Sequence, residues 1–207
     1  MSLVALLDHL AVFIFALSGA LVASRAQLDI VGFVVLSGLT AVGGGTLRDV
    51  LLDRNPVFWI AQPSYVGLIV AAAVLIFFTA HMVESRYRWV LWLDAAALGV
   101  AVPAGVGVAL AMQQPWAIVL IMGVITATVG GLLRDVVANE VPLLLKHGEI
   151  YATAAFAGSG AALIALELGA DLRLALIAAG ALTFALRAGS LAFGWRLPAY
   201  RARPPRV

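Results

Sequence analysis

TAVGGGTLRDVLLDRNP, residues 40–56, and TATVGGLLRDVVANEVP, residues 126–142, are two copies of one motif set 86 residues apart. Nine of the seventeen aligned positions are identical, among them the glycine pairs Gly44/Gly45 and Gly130/Gly131, the dipeptides Arg48-Asp49 and Arg134-Asp135, and the prolines Pro56 and Pro142. The same offset aligns Asp8 with Asp94, Gly19 with Gly105 and Tyr65 with Tyr151, so the repeated unit reaches well beyond the motif. Self-similarity at a fixed period marks a duplicated architecture.

The composition of this duplicated unit is that of an integral membrane protein. Of its 207 residues 63% are hydrophobic and 12% charged, and the mean hydropathy is +1.05; a soluble domain has roughly 45–50% apolar and 25% charged residues. No charge falls between Asp94 and Arg134, and the one interruption there is the turn-like MQQPW at 112–116. That stretch reads as two spans and a short loop. With about 20 apolar residues needed to cross, the chain divides into seven spans at roughly 8–24, 30–52, 64–83, 90–111, 116–138, 150–168 and 172–193. The spans lack the alternation of a closed barrel, so the fold class is an all-α integral membrane protein. A single transmembrane domain is expected over 1–207: repeat one at about 8–83, repeat two at about 90–168, the seventh helix at about 172–193 and a basic tail at 196–207. The first residues, MSLVALLD, lack a basic n-region, so the first span is expected to be retained.

An odd number of spans per repeat forces the second copy to enter the membrane from the opposite face. The two three-helix repeats are therefore inverted, with the seventh helix outside the symmetry, a plan that recurs in secondary transporters and also serves channels. Arg25, Arg86, Arg88, Lys146, Arg196, Arg201, Arg203 and Arg206 gather on the side of the C-terminus, against Arg54 and Arg173 on the other. Basic residues prefer the cytoplasm, which predicts the N-terminus outside and the C-terminus cytoplasmic. Trp59, Trp89, Trp92, Trp116 and Trp195 all fall near predicted interfaces.

Within the motif, Gly43, Gly44 and Gly45 follow an apolar run in span 2, and Gly130 and Gly131 follow one in span 5. Glycines in membrane helices also serve as packing contacts, but a charge four residues later and the duplication favour a bend or break there. Freed backbone groups would then face protein or a water-filled cavity, and the carbonyl end of the first half-helix would suit a cation. Four ionised side chains, Arg48, Asp49, Arg134 and Asp135, would cost on the order of 10 kcal/mol at helix centres unless paired or hydrated. Adjacent helical residues point about 100° apart, so a crossed pairing of each arginine with an acid of the other repeat is expected, with Asp8 and Asp94 as further partners. These ion pairs serve either as ties between repeats or as charges beside a conduction path. Pro56 and Pro142 are expected to end spans 2 and 5, Arg187 to snorkel to the cytoplasmic surface, and the tail RARPPR to mark topology.

Enzymatic readings find little support. No HExxH or GxSxG is present, and each intramembrane carboxylate sits beside an arginine that favours its ionised state, which argues against an aspartyl dyad. The absence of cysteine excludes disulfides and thiolate chemistry, and His9, His81 and His147 lack metal-ligand spacing. No cofactor, metal or nucleic-acid partner is expected. Small residues from Ala152 to Ala162 allow span 6 a close helix contact within or between subunits.

The three-plus-three-plus-one plan, with GGGTLRDV in span 2 and GGLLRDV in span 5, resembles the TRIC family of trimeric intracellular cation channels in its prokaryotic branch. The resemblance covers nearly the whole chain. It implies a homotrimer in the membrane lipid of a prokaryotic cell's inner (plasma) membrane, each subunit holding a potassium-permeable pore lined by spans 2 and 5 with spans 1 and 4, and the glycine bends as the narrow region. Bound lipid and a permeant potassium ion are the ligands so implied. Val129 stands where the first copy has Gly43, so the two bends are expected to differ in sharpness. Ser18, Ser37, Thr40, Thr46, Thr126 and Thr128 are the candidate polar lining of a channel. Similar bacterial proteins are described as glycine-uptake transporters, which gives the alternative: an occluded small-solute site between the same repeats.

Overall fold

The apolar segments form long helices, and polar residues start several of them. In the computed structural model, which describes residues 2–83, 85–146 and 148–198, the helices are α1 (Leu3–Arg25), α2 (Ile30–Leu51), the one-turn α3 (Phe58–Ala61), α4 (Ser64–Thr79), α5 (Arg86–Ala111), α6 (Trp116–Val137), α7 (Ala152–Glu167) and α8 (Leu172–Phe193). The Ser2 hydroxyl accepts from the Ala5 amide at the start of α1, Asp29 from Gly32 at α2 and Asp171 from Leu174 at α8. Each cap satisfies an amide that the helix itself leaves unbonded. Six helices are long and apolar enough to cross a membrane, α4 with the help of a 3-10 turn through Met82; α7, at 16 residues, is shorter. The seven apolar helices thus match the seven expected spans, and residues such as Val31, Leu75, Phe78, Ile164 and Ile177 lie exposed on the outside where lipid would meet them.

The duplication is visible in how helices end. Among the described residues four non-glycine residues have left-handed backbone, Gln27, Asp53, Gln113 and Asn139, and they form two pairs at the repeat offset. Gln27 and Gln113 close α1 and α5; Asp53 and Asn139 close α2 and α6. In the latter pair the Arg54 amide reaches back to the Asp49 carbonyl and the Glu140 amide to that of Asp135, a left-handed helix terminus. Helices α2 and α6 therefore stop at Asp53 and Asn139, ahead of Pro56 and Pro142, and the expectation that the prolines end them is corrected.

Packing follows the same two-fold plan. Helix α1 packs on α2 and α5 on α6 within the repeats, while α1 with α5 and α2 with α6 join the repeats to each other; α4 covers α1 and α2, and α7 covers α6 and α5. The seventh spanning helix, α8, packs on α5 and α7 and has no counterpart. Its contact with α5 has a local cause. Pro103 lies inside α5 and has no N–H to give the Gly99 carbonyl one turn earlier, and that carbonyl sits where a side chain on Gly180 of α8 would begin. A glycine on α8 lets its backbone meet the freed oxygen.

Of the bend or break expected in the two central helices, the break is not found. α2 runs as continuous α-helix through Gly43, Gly44 and Gly45, and α6 does so through Gly130 and Gly131. The glycines are used for approach. A Cβ on Gly44 would collide with the Thr126 carbonyl oxygen, and one on Gly130 with that of Thr40. The α2–α6 crossing is thus two reciprocal contacts of glycine against backbone, which small residues alone allow, with Cα–H groups facing carbonyl oxygens. Gly19 and Gly105 repeat the device within each repeat, meeting Thr40 and Thr126 respectively. Without a break there are no half-helix termini at mid-depth, so the cation subsite expected from a helix dipole has no structural basis. The different residues at 43 and 129 likewise do not make one helix more broken than the other.

Candidate functional site: two buried charge clusters

The duplicated Arg-Asp dipeptide builds one charge cluster toward each end of the α2–α6 crossing. Arg48, Asp49, Arg134, Asp94 and Asp135 are at most 3% exposed, and Asp8 is 6% exposed. In the first cluster the Arg48 Nε donates to Asp49 Oδ1 at 2.8 Å and its Nη1 to Asp8 Oδ1 at 3.1 Å. In the second the Arg134 Nε donates to Asp135 Oδ1 at 2.8 Å and its Nη1 to Asp94 Oδ1 at 2.5 Å. Each arginine is therefore paired inside its own repeat, and the crossed arrangement is corrected. The adjacent aspartate does serve as a partner, because the long arginine stem folds back along the helix and so spans the angular gap between neighbouring side chains.

Asp49 and Asp135 have a second task, which sequence reasoning missed. Asp49 Oδ2 accepts the Phe58 amide at 2.9 Å, and Asp135 Oδ2 accepts the Leu143 amide at 2.8 Å. Each carboxylate thus ties its arginine to the loop that follows its own helix, at the start of α3 in one repeat and of a 3-10 turn over Leu143–Leu145 in the other. The signal was available: both dipeptides are followed by a proline seven residues after the aspartate, and the amide that docks comes just after it.

Ser18 makes the one side-chain hydroxyl link across the repeats among the described residues. Its Oγ accepts from Arg134 Nη1 at 2.5 Å and donates to Asp94 Oδ1 at 2.7 Å. The Tyr151 hydroxyl donates to Asp94 Oδ2 at 3.0 Å. Since Asp8 and Ser18 are ten residues apart on α1, the two clusters lie about 15 Å apart along the axis of that helix at 1.5 Å per residue. On the side of Asp8 there is a cavity of about 280 Å³ lined by Asp8, Arg54, Phe58, Gln62 and Tyr65 among others.

The other hydroxyls behave differently from Ser18. Thr40, Thr126 and Thr128 each donate to the carbonyl four residues back in their own helix, Thr46 accepts the Trp59 indole N–H at 3.0 Å, and Ser37 is buried with no partner among the described residues. Arg187 also departs from expectation. It is fully buried, paired with Glu149 and set 5.3 Å over the Tyr151 ring, with no snorkelling to the surface; α8 packs its last turns against the loop before α7, which covers the side chain. Arg25 meets Glu140 at 3.0 Å and lies 4.9 Å over the Tyr87 ring, whose hydroxyl Lys146 meets at 2.8 Å, which brings Arg25 and Lys146, both predicted to face the cytoplasm, to one end of the molecule. His147 and Arg201, Arg203 and Arg206 of the basic tail lie outside the described residues.

This geometry is matched in known proteins. A family model described as "Glycine transporter" matches twice, over residues 5–81 and 91–167, one match per repeat. A membrane protein of Vibrio cholerae is 38% identical over 200 residues, 96% of this chain and 83% of that protein. The inner membrane protein YadS of Escherichia coli is 40% identical over 153 residues, 73% of each chain. The crystal structure of the TRIC trimeric intracellular cation channel orthologue from Rhodobacter sphaeroides superposes with a TM-score of 0.90 at 46% identity, covering 94% of this chain and all of that one. Six apolar helices in two inverted repeats with a seventh outside them, the duplicated Gly-Gly-x-Leu-Arg-Asp-Val signature and these matches together make the chain an integral membrane protein that belongs to the prokaryotic branch of the TRIC family, a family of cation channels and not of enzymes.

Proposed function

We propose that this chain is a potassium-permeable channel, with one pore in each subunit of a homotrimer running beside the α2–α6 crossing and flanked by α1 and α5. The observation that carries the reading is the charge balance of the clusters. Arginines beside a cation path look unfavourable, but each arginine of the duplicated motif faces two carboxylates: Arg48 meets Asp8 and Asp49, and Arg134 meets Asp94 and Asp135. The Arg134 cluster therefore carries one formal negative charge in excess, whereas at the first cluster the partly exposed Arg54, 3.5 Å from Asp49 at the rim, offsets the second carboxylate. In a low-dielectric interior that excess attracts a monovalent cation and repels an anion. Ser18, Ser37, Thr40, Thr46, Thr126 and Thr128 offer oxygen lone pairs between the clusters, since a hydroxyl that donates to its own helix still accepts from an ion or water. Gly43, Gly44, Gly45, Gly130 and Gly131 set how closely α2 and α6 approach, and so the width available beside them.

The Asp8 end faces outside in this reading and the Arg25, Lys146 and Arg196 end faces the cytoplasm of a prokaryotic cell, where anionic lipid headgroups are the natural contact for basic residues. A second reading has its own observation. The family model's description names glycine, and the cavity beside Asp8 presents a carboxylate and the Arg54 guanidinium to one space, which suits the ammonium and carboxylate of a small amino acid.

Purified protein in potassium-loaded liposomes separates the two. A channel collapses the potassium gradient rapidly and without saturation, and shows no accumulation of radiolabelled glycine; saturable glycine uptake without a potassium leak would overturn the channel reading.

A further inference from the structure

The two clusters are equivalent by descent, yet one is fastened far more completely than the other. Around Arg134, Nη2 lies 2.7 Å from Asp135 Oδ1 and donates to Asp94 Oδ2, so every guanidinium nitrogen is bonded. Asp94 in turn accepts from Arg134, from the Ser18 hydroxyl and from the Tyr151 hydroxyl. Around Arg48, Nη2 is buried with no partner among the described residues, and Asp8 accepts one hydrogen bond, from Arg48.

The residue-level cause is plain when the repeat offset is applied. The position equivalent to Ser18 is Ala104, fully buried in α5, which has no hydroxyl to bridge Arg48 and Asp8. The position equivalent to Tyr151 is Tyr65, which has the hydroxyl but is held elsewhere. Its ring stacks on His9 at 4.0 Å and meets the edge of Phe58 at 4.9 Å. His9 itself has an alanine, Ala95, as its equivalent. The first cluster also borders the 280 Å³ cavity, which gives Asp8 and Phe58 space into which to move.

We propose that the Arg48–Asp8 pair is the part of the site that opens, and that Ser18 and Tyr151 are positioning residues that hold the Arg134–Asp94 pair as a fixed anchor. Insofar as opening means conduction, this rests on the channel reading; the difference in fastening does not. The Phe58 amide hangs on Asp49, which is itself bonded to the Arg48 Nε and reached by Arg54, so when Arg48 moves off Asp8 the segment 54–62 moves with the Arg48–Asp49 pair and loosens. The segment 140–146, tied through Asp135 to a fully bonded Arg134, stays put.

Hydrogen exchange and single-channel recording on the same preparation test the two halves of the proposal separately. In the full-length protein the amides of 54–62, Phe58 above all, should exchange at least about tenfold faster than those of 140–146, Leu143 above all. Ala104→Ser supplies the missing hydroxyl and should slow exchange at 54–62 and lower open probability several-fold at unchanged unit conductance. Tyr151→Phe keeps the ring and removes one fastening, and should speed exchange at 140–146; it serves also if Ala104→Ser does not fold. Equal exchange in the two segments, or slower exchange at 54–62, overturns the proposal. If the exchange difference and its response to both variants are found but the protein passes no current, the asymmetry stands and the channel reading falls.

Discussion

Replacing Gly44 by alanine tests whether these glycines exist for approach. The new Cβ would fall on the Thr126 carbonyl, with the Thr126 carbonyl carbon at 2.9 Å and the Ile125 oxygen at 3.2 Å. All three are backbone atoms, so no side chain can swing aside, and relief requires α2 and α6 to part by about 1 Å to restore ordinary van der Waals distance. Forcing a methyl into a packed contact of this kind costs about 1–3 kcal/mol, against a gain of up to about 1 kcal/mol from replacing glycine inside a helix. Gly38, in the same helix, is the control: a Cβ there would meet only the Ile69 methyl at 3.7 Å, an ordinary contact. Gly38→Ala should therefore be neutral or stabilising while Gly44→Ala destabilises. The gap between them should be about 2 kcal/mol, or roughly 30-fold in the folding equilibrium. The assay is reversible unfolding in mixed micelles at rising dodecyl sulfate fraction, followed by circular dichroism. Gly130→Ala, which meets the Thr40 carbonyl at the same crossing, should behave like Gly44→Ala, and the double variant should cost less than the sum because the first change already parts the helices. A Gly44→Ala protein as stable as Gly38→Ala would refute the account of the crossing.

Three further outcomes are expected in the same assay. Asp135→Ala removes the acceptor for both Arg134 and the Leu143 amide and leaves a buried guanidinium short of a partner, a loss of about 3–5 kcal/mol; Asp49→Ala should match it, and a cost below about 1 kcal/mol for either would contradict the tethering role. Arg187→Met should be nearly neutral, because it removes buried N–H groups without partners and leaves Glu149 partly open to water, whereas Glu149→Ala strands the arginine and should cost about 3–5 kcal/mol; the reverse ranking would count against the pairing. Trp59→Phe and Thr46→Val each remove one end of a single hydrogen bond, so each should cost about 1 kcal/mol, and the double variant should cost no more than the larger single one.

The sequence carried the architecture because the two signals that define it are independent of contact detail. Apolar length set the spans, and α2, α6 and α8 begin and end within a residue of the expected limits; the 86-residue offset set the inversion. It carried less of the site. Glycine at positions 43–45 and 130–131 has two physical uses in a membrane helix, freedom to break and room to approach, and nothing in the neighbouring residues distinguishes them; the partner helix does, by putting the Thr126 and Thr40 carbonyls against them. Angular reasoning on Arg48 and Asp49 failed because it treated side chains as directions from the helix axis, whereas a guanidinium on a long stem reaches back around it. Arg187 was misread for a related reason. Its height in α8 suggested an interface, but what decides burial is the loop before α7, whose position no local pattern records. The tie from Asp49 to Phe58 was legible only once the loops after both prolines were compared.

Single-channel recording of the purified protein in planar bilayers, under asymmetric potassium chloride and then with sodium in place of potassium, tests the central claim most directly. The account predicts discrete conductance steps that reverse near the potassium equilibrium potential, as expected of a path bordered by two clusters, in each of which one buried arginine faces two carboxylates. A silent bilayer, with saturable glycine uptake into liposomes made from the same preparation, would contradict it.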